Sequence, residues 1–148
     1  WKEVHCEGPS PGARENNGMV EYKRSLYIFG GFNGSQWLND FHGFHIGERH
    51  CCSVSCLFLL ARTDTRTWRK VEPAVAPPVP RFGDVAVVHS HYFYLFGGYD
   101  GTAWLNDMHR FNFEEVTTLG QHPSVRSCPG WCKDGDNLYV FGGHDGVQ

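Results

Sequence analysis

The feature that most constrains this chain is that it repeats itself. The segment Leu26-Tyr27-Ile28-Phe29-Gly30-Gly31-Phe32-Asn33-Gly34, followed by Trp37-Leu38-Asn39-Asp40, returns as Tyr94-Leu95-Phe96-Gly97-Gly98-Tyr99-Asp100-Gly101 with Trp104-Leu105-Asn106-Asp107. Its first half returns again as Leu138-Tyr139-Val140-Phe141-Gly142-Gly143-His144-Asp145-Gly146. A supersecondary unit that recurs cannot bury its apolar face alone, so each copy must stack on its neighbour. The 18 glycines and the 15% of aromatic residues suit strands joined by tight turns.

The register extends upstream. Arg14, Arg81 and Arg126 each stand 16 positions before the first glycine of their unit, and Trp1, Trp68 and Phe113 stand 29 before it. Valine follows each aromatic by three residues, at Val4, Val71 and Val116. Each unit therefore reads aromatic, valine, proline-containing connection, arginine, apolar strand, second strand ending in Gly-Gly, turn, Leu-Asn-Asp. The glycine pairs lie 67 and 45 positions apart, and two local events reconcile the figures. If 47–63 is a 17-residue insertion, Phe44-His45-Ile46 runs directly into Asp64-Thr65-Arg66-Thr67-Trp68 and the first period becomes 50. The second unit is 5 residues short between Asp107 and Phe113, and restoring them also gives 50. The insertion reads either as a surface loop between third and fourth strands or as the translated tail of an unspliced intron, its residues having pyrimidine-rich codons.

A period near 50, a double glycine closing an aromatic-apolar strand, an Asp-Gly or Asn-Gly turn and a spaced tryptophan together resemble kelch-repeat proteins, over nearly the whole chain apart from 47–63. The resemblance implies an all-β fold, a partial kelch-type β-propeller of four-stranded antiparallel blades with about two and a half blades present. The implied division is an outer strand of a preceding blade in 1–12, a blade in 13–72 carrying the insertion, a blade in 73–120 and a half blade in 121–148. Residues 25–29 and 91–96 read as buried strands. Gly30, Gly31, Gly97, Gly98, Gly142 and Gly143 belong where blades crowd together, because glycine accepts positive φ and close backbone approach. Asn33-Gly34 and Asp100-Gly101 supply hairpin turns, and Trp1 and Trp68 would bury surface between adjacent blades. So few blades cannot close a ring, and the chain reads as a fragment, an incomplete gene model or an open array. Association through unpaired blade edges is expected.

Thirteen Lys and Arg against 16 Asp and Glu give a formal charge of -3 without a basic cluster, which argues against nucleic acid as a partner. No secretory leader opens the chain, and the apolar run from Leu57 to Ala61 is far short of a membrane span. The expectation is a cytoplasmic protein without membrane contact, its six cysteines free thiols.

His50, Cys51, Cys52 and Cys56 lack the usual zinc spacing, so no metal or cofactor is expected. Cys128 and Cys132 read as small buried hydrophobes on one face of a strand. His42 and His109, and Asp40 and Asp107, recur in register; the histidines read as blade packing and the aspartates as turn residues accepting backbone hydrogens. Likeness to kelch adaptors implies that Arg14, Arg81 and Arg126 line the mouth of the ring and grip acidic side chains of a partner. The other reading is that each arginine packs on an aromatic ring or bonds loop carbonyls. Phe32, Tyr99 and His144, beside the turns, would add apolar contact.

These features point to a protein-interaction module, a scaffold or substrate-recruiting adaptor that binds another protein through its inter-strand loops. The alternative is an enzyme on the same fold, a copper oxidase or a lyase. Such chemistry needs a metal site or a positioned acid and base, and none stands outside the repeat register.

Overall fold

The computed structural model describes residues 1, 3–47, 66–110, 114–115 and 119–147, with 114–115 described by backbone alone. The insertion's cysteine–histidine group, Phe113 and Val116 lie outside the described residues.

Each repeat folds as its pattern requires. Gly18–Tyr22 (β1) alternates buried Gly18 and Val20 with exposed Met19 and Glu21, and pairs antiparallel with Ser25–Phe29 (β2). Phe41–His45 (β3) pairs with β2, and Trp68–Lys70 (β4) pairs with β3, giving the order β1-β2-β3-β4. Residues 47–63 fall between β3 and β4 in the chain. The second unit repeats the arrangement with Val85–His89 (β5), Tyr92–Tyr99 (β6), Trp104–Arg110 (β7) and Glu114–Glu115 (β8). The third contributes Gly130–Asp134 (β9) and Asn137–Phe141 (β10). Among the described residues, two four-stranded sheets and one two-stranded sheet, all antiparallel inside, match the partial propeller of about two and a half blades anticipated.

The units stack. Val20, Phe29 and Phe41 of the first and Ala86, Phe93 and Leu95 of the second form one buried cluster, with the Phe41 and Phe93 rings 5.1 Å apart. Removing such side chains from water contributes about 1.5–3 kcal/mol each, so the contact between units is itself stabilising. A backbone seam reinforces the packing. Gly31 N donates to Arg81 O (2.8 Å) and Arg81 N to Leu38 O (2.9 Å); Gly98 N donates to Arg126 O and Arg126 N to Leu105 O, both at 2.9 Å. A Cβ on Gly30 would stand 2.7 Å from Arg81 O, and one on Gly97 would stand 2.9 Å from Arg126 O, so side chains are excluded where the next unit's arginine peptide docks. Two residues past each arginine, Asn16, Gly83 and Cys128 all take left-handed φ, and Gly83 N to Asn16 O (2.7 Å) and Cys128 N to Gly83 O (2.6 Å) link one unit to the next.

Several expectations are corrected in detail. Gly-Gly ends β2 and β10, but β6 runs through Gly97-Gly98 to Tyr99 with a register shift, because Tyr99 pairs with Trp104 across the hairpin. Trp1 lies outside any strand and is fully exposed. Of residues 1–12, Glu7 alone among those described bridges a neighbour, running parallel beside Thr67. Trp68 packs on Phe44 of its own sheet, ring centroids 4.9 Å apart, because the two are cross-strand partners. Cys128 and Cys132 do not share a strand: Cys128 is held in the left-handed link before β9, Cys132 lies on β9, and both are exposed.

Candidate functional site

The proline-containing connections, the starts of the first strands and the hairpin turns converge on one end of the stack. Backbone bridges show it directly: Glu15 pairs with Phe32, Phe82 with Tyr99, and Ser127 with His144. Asparagine fixes the connections, since Asn39 Nδ2 donates to Pro78 O and Asn106 Nδ2 to Pro123 O, both at 3.1 Å.

Arg14 and Arg81 turn their guanidiniums inward at this end. Arg81 is completely buried; its Nη1 donates to Asp107 Oδ1 (2.6 Å) and Gly97 O (2.9 Å), its Nη2 to Asp107 Oδ2 (2.8 Å) and its Nε to Val79 O (3.2 Å). Arg14 repeats the pattern on Asp40, Gly30 O and Gly12 O. A histidine completes each bracket: Nε2 of His109 donates to Asp107 Oδ2 at 2.6 Å, and Nε2 of His42 to Asp40 Oδ2 at 2.8 Å. Burial works to raise the Asp107 carboxyl, but hydrogen bonds from Arg81 and His109 outweigh it and hold the group well below the usual carboxylate range. Asp40 is lowered by the same opposition, from Arg14 and His42. Asp40 and Asp107 are therefore the arginines' partners rather than acceptors of backbone hydrogens. The histidines do pack within the blade.

Arg126 differs. Its Nη1 donates to Gly142 O (2.7 Å), its Nε to Ser124 O (3.0 Å) and its Nη2 to the Ser124 hydroxyl (2.8 Å). No carboxylate among the described residues meets it. In the first two units the aspartate stands 26 residues after the arginine.

An aromatic row crosses all three units at this end. Phe32 contacts Trp37 (centroids 5.2 Å), Trp37 meets Tyr99 edge-on (6.3 Å), Tyr99 contacts Trp104 (4.5 Å) and Trp104 contacts His144 (5.5 Å). The turns carry the row from unit to unit. Asn33 Oδ1 accepts from the amides of Ser35 and Gln36, and Asp100 Oδ1 from those of Thr102 and Ala103, leaving Gly34 and Gly101 to take positive φ. A Cβ on Gly101 would lie 3.1 Å from the Trp37 ring, and one on Gly146 would lie 2.7 Å from Trp104. Each of these tryptophans thus seats on the turn glycine of the following unit, and they do the inter-blade work assigned from sequence to Trp1 and Trp68. Phe32, Tyr99 and Trp104 are half-buried and His144 is exposed.

Asp84 breaks the repeat. Its register equivalents are Asn17 and Pro129. Both its carboxylate oxygens are buried without a well-formed hydrogen-bond partner, and a side chain on Gly18 of the neighbouring unit would collide with Oδ2. Burial pushes its pKa up to about 7, only partly offset by its own amide and the Arg81 guanidinium.

Comparison with known proteins agrees with this geometry. A family description of the KLHDC2/KLHL20/DRC7 Kelch-repeats domain matches residues 48–148. The chain is 29% identical over all its length to the leucine-zipper-like transcriptional regulator 1 homolog of Drosophila melanogaster, covering 15% of that protein. It is 27% identical over 98% of its length to acyl-CoA-binding domain-containing protein 5 of Arabidopsis thaliana, covering 21% of it. It is 25% identical over 97% of its length to Kelch domain-containing protein 2 of Bos taurus, covering 38% of it. The chain thus spans well under half the length of these relatives. With its repeats stacked as antiparallel blades and most of its length matched by the domain description, the chain belongs to the kelch-repeat family.

Proposed function

We propose that this chain is a protein-binding module, a scaffold or substrate-recruiting adaptor, whose contact surface is the end bearing the aromatic row. Kelch repeats generally mediate protein–protein interaction. The observation that carries the finer reading is the continuity of Phe32, Trp37, Tyr99, Trp104 and His144 across three units. A partner laid across that end meets one composite surface, whose Phe32, Trp37, Tyr99 and Trp104 rings are half-buried and so held rigid before contact. Pre-ordered aromatic rings lose little conformational entropy on binding and supply much of the energy in interaction hot spots.

The arginines enter this reading unequally. Arg14 and Arg81 support the surface from beneath, since their guanidiniums are occupied by Asp40 and Asp107. Arg126, beside the row, retains donor capacity for a partner's carboxylate. The test is affinity enrichment by wild-type protein and variants, compared by quantitative mass spectrometry. A partner should be retained by wild type and by Lys23→Ala, at a β1–β2 turn residue away from the row. It should fall about tenfold or more with Tyr99→Ser, His144→Ala or Arg126→Glu. Equal retention by every variant would rule out this surface.

A further inference from the structure

The clefts between neighbouring units repeat like everything else, and one has been altered. Between units two and three the cleft holds His89, Tyr94, Met108, Leu138, Lys133 and Asp136, with His89 Nε2 3.6 Å from Asp136 Oδ1. Its register equivalent between units one and two has a volume of about 210 Å3 and is lined by Tyr22, Tyr27, Phe41, Phe93, Arg69 and His91, together with two valines. The cleft between units two and three balances its charges, whereas that between units one and two carries the Arg69 cation and no acidic group among the described residues that line it.

Three observations mark this cleft as more than a packing gap. Arg69 is exposed, and its hydrogen bond is long, from Nη2 to the Tyr27 hydroxyl at 3.4 Å, with no carboxylate partner among the described residues. Gly43 lies beside it at the position where unit two carries Arg110, and its φ is not left-handed, so the backbone does not demand glycine there. What glycine provides is room: a Cβ would stand 3.1 Å from the Tyr27 ring and 3.5 Å from Arg69 Nε. Finally, His91, in the β5–β6 hairpin turn, has its Nδ1 2.6 Å from the Tyr22 hydroxyl of the neighbouring unit. That bond closes one end of the cleft, and Lys23 lies 5.1 Å over the Tyr22 ring.

We infer that the cleft between the first two units binds a small aromatic carboxylate, its ring against Tyr27, Phe41 and Phe93 and its carboxylate on Arg69. The volume admits a single ring, and the apolar walls with one convergent cation match a ligand that is flat, apolar and singly anionic. A guanidinium beside a tyrosine hydroxyl offers three donors to two carboxylate oxygens without first breaking an ion pair.

The probe is 3-phenylpropionate, titrated into the whole chain and followed by NMR, with the neutral 3-phenylpropanamide and acetate as comparisons. The acid should bind saturably at about millimolar Kd, as its size allows, and shift the Tyr27 and Phe93 ring resonances. Amide and acetate should each bind about tenfold more weakly. Arg69→Gln, a change at an exposed side chain, should produce the same loss, and Lys70→Gln on the same strand should not. Equal binding of acid and amide, retention of the acid by Arg69→Gln, or no saturable shift with the acid would each overturn the assignment.

Discussion

Replacing Arg81 by alanine is expected to cost about 3–5 kcal/mol of unfolding free energy, the range found when one partner of a buried ion pair is removed. The loss comes from what stays behind. Asp107 would keep its charge in a partly buried site with only His109 to answer it, and the Gly97 and Val79 carbonyls would lose their donor. Asp107→Asn is expected to be costly for the converse reason, leaving a buried guanidinium uncompensated. The double change Arg81→Leu with Asp107→Leu should cost less than the two single losses added, since neither charge remains stranded. The third unit supplies an internal control. Arg126 occupies the same register without a carboxylate partner among the described residues, so Arg126→Ala should cost only about 1 kcal/mol. Urea unfolding of the four variants at neutral pH measures the series, and equal losses for Arg81→Ala and Arg126→Ala would show that the bracket is not what stabilises the blade. The bracket also has a pH signature. Asp107 is depressed in the folded state, so its contribution is full above the unfolded value near 3.8 and disappears as the medium is acidified through the folded value.

Asp84 works in the opposite direction. Its carboxyl has a folded pKa of about 7 against 3.8 for the free group, so folding favours its protonated form. The stability it permits is complete below about pH 4, falls as pH rises toward 7 and is level above that. At about 1.4 kcal/mol for each unit, the loss is at most about 4 kcal/mol. An asparagine in its place would carry no charge, and the register already holds that residue at Asn17. Asp84→Asn should therefore raise stability at pH 8 by about 2–4 kcal/mol, leave it nearly unchanged at pH 4 and flatten the profile between. Urea midpoints across pH 4–8 decide the matter. A parallel profile in the variant would place the titration elsewhere.

The repeat made the strands, turns and glycine pairs legible because their causes are local. A run such as Leu26 to Phe29 must be a strand wherever it sits, and Gly30 must lie where another backbone passes. The partners of Arg14 and Arg81 were harder, since the contacting aspartates are distant in sequence and each element alone suggests something else: an arginine after prolines suggests a rim, an aspartate after asparagine suggests a turn. The constant separation of 26 residues between opposite charges in both units carried the missing information. Trp37 and Trp104 were likewise visible as part of the repeat, but their seats, Gly101 and Gly146, belong to the next unit, and a pattern read within one unit does not reveal a contact between units. Asp84 signalled itself only by failing to match Asn17 and Pro129. The charged cleft could not be read at all, because Tyr22 and His91 meet only after two hairpins have packed.

The units stack through tryptophan and glycine, Trp37 on Gly101 and Trp104 on Gly146. Nuclear Overhauser contacts between the Trp37 indole and the Gly101 α-protons, and between the Trp104 indole and those of Gly146, test this most directly. The stacking predicts both contacts, with α-proton resonances displaced by the ring currents and each displacement removed by Trp37→Leu or Trp104→Leu alone. Random-coil positions at both glycines, with no contact to either indole, would contradict it.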